Sequence, residues 1–177
     1  MNEATFASWH DFYLTMGTAS ASLIGLLFVA LSLNLDAITD DSRDDLRAFA
    51  DQAFSSFSVV LLIAVFFLIP ENDASTLGSL YIVLSFFAAY RMLRRVPAVW
   101  TGRHRGRPRE ATFWRFVLPT AAVLGLFVVG LGLIVGQASA LYWLVAVIIG
   151  LLMSAARSSW DILVKVGAHR RAAKVDA

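Results

Sequence analysis

Cysteine is absent from this chain of 177 residues. That excludes disulfides, thiol redox chemistry, thiolate metal sites and cysteine nucleophiles together. Histidine is almost absent. His10, His104 and His169 are the three present, and none lies inside an apolar run, which excludes a bis-histidine haem within a helical bundle. Charged residues make up only 16% of the chain. No Gly-rich phosphate loop, HExxH, serine beside a histidine in an apolar span, or pair of intramembrane carboxylates is found, so no catalytic residues and no cofactor are expected. Nothing at solenoid period repeats, and no inverted duplication of the transporter kind is evident.

What fills the chain is apolar side chain. Hydrophobic residues reach 58% and the mean hydropathy is +0.68. A soluble domain of this size cannot hide that much apolar surface, so the expected solvent is the bilayer. The expected fold is all-α, a single transmembrane domain over residues 1–177 with five spans at about 12–35, 54–70, 76–93, 113–136 and 141–163. The first run lacks a basic region before it and is longer than a signal core, so it is expected to be retained. Between the spans lie segments 36–53 and 94–112, and a basic tail covers 164–177.

Charge segregation sets the expected direction. All fifteen Lys and Arg residues fall in segments 36–53 and 94–112, in the tail, or in the helix turns that border them. The N-terminus and the turns at 71–75 and 137–140 carry none. The positive-inside rule then predicts an external N-terminus and a cytoplasmic C-terminus, in the cell (inner) membrane. Trp9, Tyr13, Tyr142 and Trp143 would mark the outer interface; Tyr90, Trp100, Trp114 and Trp160 would mark the inner one. Pro97 and Pro108 are expected to break helices in the 94–112 segment.

The first span carries an uncommon face. It has no charge between Phe12 and Leu35, a length of roughly 36 Å as a helix. Stepping four and three residues from Asp11 meets Thr15, Thr18, Ser22, Gly25, Val29, Ser32 and Asp36. This is one helical stripe, small and hydroxylated, acidic at both ends. A helix gains nothing by showing hydroxyls to lipid, so such a stripe faces protein or water. As packing, Gly17, Ala21 and Gly25 form a small-xxx-small ridge. As a pathway, Thr15, Thr18, Ser22, Gly25, Val29 and Ser32 line a pore between copies, and Asp11 and Asp36 ring its mouths with charge that attracts cations.

The segment Ala19–Ala30, ASASLIGLLFVA, resembles the pore-lining first helix of the Orai calcium-channel family, through Ser20, Ala21, Leu23, Gly25, Val29 and Ala30. The resemblance implies a homo-oligomeric channel with this helix round the axis, Val29 at a hydrophobic gate, and Ser22 and Thr18 facing the pore. It covers one helix, and it departs from the family in three ways. The family's selectivity glutamate would fall at Leu33, with Asn34 and Asp36 nearby. The family's helix starts with cytoplasmic basic residues, whereas here the start is acidic and expected outside. The family has four spans. The chain also resembles small multi-pass membrane proteins of bacteria.

Three charged groups complete the reading. Asp40, Asp41 and Asp44 spell DDxxD, a spacing that holds Mg²⁺ on diphosphates in prenyl-transfer enzymes; without a second acidic motif it reads as the acidic start of a helix. The loop arginines Arg94, Arg95, Arg103, Arg105, Arg107 and Arg109 fit anionic headgroups rather than nucleic acid, since only Trp100 offers a stacking face. Arg103 and Arg105 can also pair with Asp40 and Asp44 as a cytoplasmic gate. Arg157 and Asp161 stand one turn apart as a local ion pair. The expected function is a homo-oligomeric, cation-conducting channel lined by the first helix, with membrane lipid, further copies and an inorganic cation as partners. The alternatives are a non-conducting structural protein assembled through small-residue faces, and a membrane enzyme using the Asp40/Asp41/Asp44 cluster with a divalent metal.

Overall fold

The computed structural model describes the backbone of residues 3–33, 44–70, 73–101, 109–137 and 139–175, and the side chains within 7–33, 47–70, 73–94, 117–137 and 139–160. The described residues form five helices and no strand. They are α1 (Glu3–Ser32), α2 (Asp44–Phe67), α3 (Ala74–Thr101), α4 (Arg109–Ile134) and α5 (Ala140–Val175). Each contains a stretch long and apolar enough to cross a membrane: Ala7–Ser32, Arg47–Phe67, Ala74–Arg94, Val117–Ile134 and Ala140–Trp160. The described residues are thus all-helical, and the chain is a multi-pass membrane protein. Long apolar runs become helices here because hydrocarbon offers no partner for peptide groups, and a helix satisfies them within the segment.

The ends of the helices follow local chemistry. At the start of α3, Asp73 Oδ1 accepts the Thr76 N–H at 3.3 Å and Asp73 Oδ2 accepts the Ser75 hydroxyl at 2.8 Å. These bonds, from Thr76 first and Ser75 second, hold the exposed Asp73 carboxyl below the usual carboxylate range. At the end of α4, Gly136 takes a φ of +84°. The Gln137 N–H reaches the Gly132 carbonyl at 2.9 Å and the Gly136 N–H reaches Leu133 at 3.0 Å, the two bonds of a Schellman cap. Contrary to the sequence expectation, Pro97 does not break its helix, since α3 continues through it to Thr101. The fixed φ of proline is compatible with a helix, at the cost of the one hydrogen bond that its missing N–H would make. Pro119 likewise lies inside α4.

α1 packs on α2, α2 on α5, α5 on α4 and α4 on α3, and α3 returns to α2 over a shorter contact. Four helices thus form a ring, with α1 attached outside it against α2. The helix ends alternate. Trp9 of α1 meets Tyr142 of α5 with ring centroids 5.0 Å apart, and Tyr13 stacks on Phe67 of α2 at 4.0 Å. At the opposite end, Leu27 clusters with Ala53, Phe57 and Ala155. The centre of the ring is shut by Val60, Ile63, Leu77, Tyr81, Leu126, Leu133, Leu144 and Ile148, each no more than 1% exposed.

Two glycines build a close crossing of α3 and α4. A Cβ added at Gly78 of α3 would lie 2.6 Å from the Gly130 carbonyl oxygen, and one at Gly130 would lie 2.8 Å from the Gly78 carbonyl oxygen. Backbones can approach this closely only without side chains. Of the next two glycines in the chain, Gly132 meets α5, where an added Cβ would lie 3.1 Å from Ala140 Cβ, and Gly136 is the cap.

Candidate functional site

The inner face of α1 carries Tyr13, Gly17, Ser20, Ile24 and Leu27, all buried or half-buried. A Cβ at Gly17 would lie 3.0 Å from Ala64 Cβ, so glycine lets α1 sit close on α2. At 3.6 residues per turn the stripe of Thr15, Thr18, Ser22, Gly25, Val29 and Ser32 lies roughly 150° away, on the far side of the helix. All six of these residues are exposed, and so is Asp11 at the head of the stripe. Nothing lies within 4 Å of a Cβ placed at Gly25. The stripe is one continuous surface that the bundle leaves uncovered. The Gly17, Ala21 and Gly25 ridge divides: Gly17 packs on α2, while Ala21 and Gly25 face away from the bundle.

The hydroxyls on this face have a common geometry. Thr15 donates to the Asp11 carbonyl at 2.7 Å, Thr18 to Leu14 at 2.8 Å and Ser22 to Thr18 at 2.9 Å. Ser32 donates to the Val29 carbonyl at 2.9 Å. Each hydroxyl proton is spent inside the helix, and the oxygen lone pairs remain for an outside partner. The face therefore offers acceptors, with a carboxylate at its Asp11 end. His10 Nδ1 stands 3.3 Å from Asp11 Oδ1.

A second polar region lies within the ring towards the opposite end. Gln52, Ser55 and Ser56 of α2, Met92 of α3 and Pro119 of α4 line a cleft of about 40 Å³. That is room for about three waters at ~10–15 Å³ of occupied volume each. Pro119 has no N–H, so α4 lacks the hydrogen bond to the carbonyl four residues earlier. Beside the cleft, Arg91 of α3 reaches Asp51 of α2 at 3.0 Å, both groups partly exposed. The lining of the cleft continues into Val59 and Leu126 of the buried apolar cluster.

Several sequence candidates fall elsewhere. Asp36, Asp40, Arg103 and Arg105 lie outside the described residues, as does the side chain of Asp44, where α2 begins. Among the described residues no cluster of three or more metal-ligating side chains occurs. Sequence reasoning passed over the Asp51–Arg91 pair, although an i,i+40 contact leaves no periodic trace. It also passed over Ser20, which is fully buried opposite the stripe; its Oγ and the Tyr13 hydroxyl are the buried side-chain polar atoms without a hydrogen-bond partner among the described residues.

The class defined by this architecture is a five-helix membrane bundle with one peripheral helix that presents a hydroxyl stripe outwards. Comparison with family models, with curated proteins and with solved structures gives no match.

Proposed function

We propose that the chain is the subunit of a homo-oligomeric ion channel, conducting cations, in which α1 helices surround the axis and the stripe from Thr15 to Ser32 lines the pathway. The observation that carries this reading is the outward face of α1, with its donors spent and its acceptors free. Acceptor-only surfaces with a carboxylate at one end suit cations and repel anions. The shut centre of the ring supports the same view, because an ion has no polar route through a single subunit. A pathway must then run between subunits, along a helix that each subunit leaves uncovered. In this arrangement Asp11 rings the outer mouth and Val29 narrows the inner half. The acidic second mouth rests on Asp36. The N-terminus lies outside and the C-terminus in the cytoplasm of the cell (inner) membrane, supported by the one-sided placement of all fifteen Lys and Arg residues.

A non-conducting assembly protein is the second reading, and one observation favours it. Hydroxyls bonded to their own helix no longer require water, so the same face can pack against a neighbouring copy. Cysteine scanning separates the two, and the chain has no native cysteine to confuse it. In a pore, water-soluble thiol reagents label positions 18, 22, 25, 29 and 32 and spare 20, 24 and 27. In a packed interface the stripe is as unreactive as the inner face, and that result would remove the channel reading.

A further inference from the structure

We propose that the groove between α4 and α5 is a binding site for one acyl chain of a bilayer phospholipid, entered from the membrane surface on the side of the α4–α5 turn. The groove encloses about 490 Å³. It exists because its floor has almost no side chains: Ala121, Gly125 and Gly132 on α4, and Ala146 and Gly150 on α5. The helices cannot close it by moving together. A Cβ at Gly125 would already lie 2.8 Å from Val147 Cγ2, and one at Gly132 would lie 3.1 Å from Ala140 Cβ. Gly150 opens into free space, with no atom within 4 Å of an added Cβ.

The position of the groove decides what can fill it. Both walls belong to membrane-crossing stretches, so the surrounding solvent is hydrocarbon. Water does not stably fill an apolar cavity of this kind. The lining runs along α4 from Leu118 to Gly132, roughly 21 Å at about 1.5 Å per residue, and along α5 from Ala140 to Gly150, roughly 15 Å. The groove thus stops short of the ~30 Å hydrocarbon thickness and suits a chain that enters from one leaflet.

Polarity along the groove fixes the orientation. Gln137 and Ser139 stand at one end, and everything deeper is apolar or small. Gln137 Oε1 comes within 3.9 Å of the Cβ position at Gly132, so the amide folds back over that end. Trp143, 72% exposed, stands beside it as an interfacial ring. The amide and the hydroxyl can donate to ester carbonyls, while the lining carries no charged residue. Recognition is thus of chain and ester, and retention should be indifferent to headgroup charge.

The test uses the full chain purified in mild detergent and loaded with dioleoylphosphatidylcholine or dioleoylphosphatidylglycerol. Native mass spectrometry reads the lipids retained per chain and the oligomer mass. Gly150→Leu fills the groove where no atom opposes it; Val83→Leu, on the exposed face of α3, is the control. The expected result is one phospholipid per chain in wild type and in Val83→Leu, with either headgroup, and at least a tenfold lower retention in Gly150→Leu at unchanged oligomer mass. Equal retention in Gly150→Leu would overturn the site. So would retention of the anionic lipid alone, or a loss of oligomer mass in Gly150→Leu, which would give the groove to a second copy.

Discussion

Replacing Gly130 with alanine should destabilise the protein strongly, whereas the same change at Gly150 should not. At Gly130 the new Cβ would lie 2.8 Å from the Gly78 carbonyl oxygen, 2.8 Å from Ile82 Cγ1 and 3.2 Å from the Ile82 nitrogen. Ordinary contact begins near 3.4 Å, so the shortfall is about 0.6 Å against the backbone of α3. A side chain could turn aside, but a helix backbone cannot. The two helices must separate along their whole contact, and overpacking of this kind costs ~1–3 kcal/mol. Rigid backbone on both sides puts the cost at the upper end. At Gly150 nothing lies within 4 Å, and alanine should be neutral or should stabilise by up to ~1 kcal/mol through reduced backbone freedom. The difference between the two variants is then ~2–4 kcal/mol, or roughly 30- to 1,000-fold in the unfolding equilibrium at ~1.4 kcal/mol per decade. Reversible unfolding in bicelles, followed by steric trapping, measures it directly. If Gly130→Ala proved as stable as Gly150→Ala, the α3–α4 crossing described above would be wrong.

Three further perturbations test separate parts of the fold. Gly136→Ala should cost about 1–2 kcal/mol, because alanine is strained at a φ of +84° although nothing crowds the position. Gly136→Asn should recover part of that loss in the same unfolding assay, and equal losses would refute a conformational cause. Asp51→Ala and Arg91→Ala should each lower stability modestly, with a coupling of about 0.5–1 kcal/mol in a double-mutant cycle that shrinks as salt rises, since both groups are partly exposed. Asp73 has a lowered pKa, so its capping contribution is complete above the usual carboxylate pKa and is lost as pH falls through the depressed one. The melting-temperature difference between wild type and Asp73→Ala should therefore narrow at acid pH, and a gap that is constant from pH 7 to pH 3 would exclude the charged cap.

Much of the architecture was legible in the sequence because the bilayer imposes it. Uninterrupted apolar runs of helix-spanning length report helices directly, and the five runs correspond to α1–α5. Helix ends were less legible. α3 passes through Pro97 and α5 continues to Val175, beyond the apolar stretches that announce them, because hydrophobicity marks where lipid begins and not where hydrogen bonding stops. The stripe on α1 was readable as a periodicity, and its exposure could be expected from chemistry. What periodicity could not reveal was pairing between helices. Gly130 belongs to the glycine-rich run of α4, but its partner Gly78 is 52 positions away and no spacing points to it. Gly132 meets Ala140 of α5, whereas Gly136, four residues on, serves as the left-handed cap. The Asp51–Arg91 pair is hidden for the same reason, since each charge reads from sequence as part of a basic or acidic border.

The central claim is that the hydroxyl face of α1 borders a water-filled cation pathway. Single-channel recording in planar bilayers, with Ser22→Cys before and after a positively charged, water-soluble thiol reagent, tests it most directly. The account predicts cation-selective current from the purified protein, a loss of most of that current on modification, and no effect of the reagent on Leu27→Cys, whose side chain faces the bundle. Absence of current from correctly folded oligomers, or current that Ser22→Cys modification leaves unchanged, would contradict it.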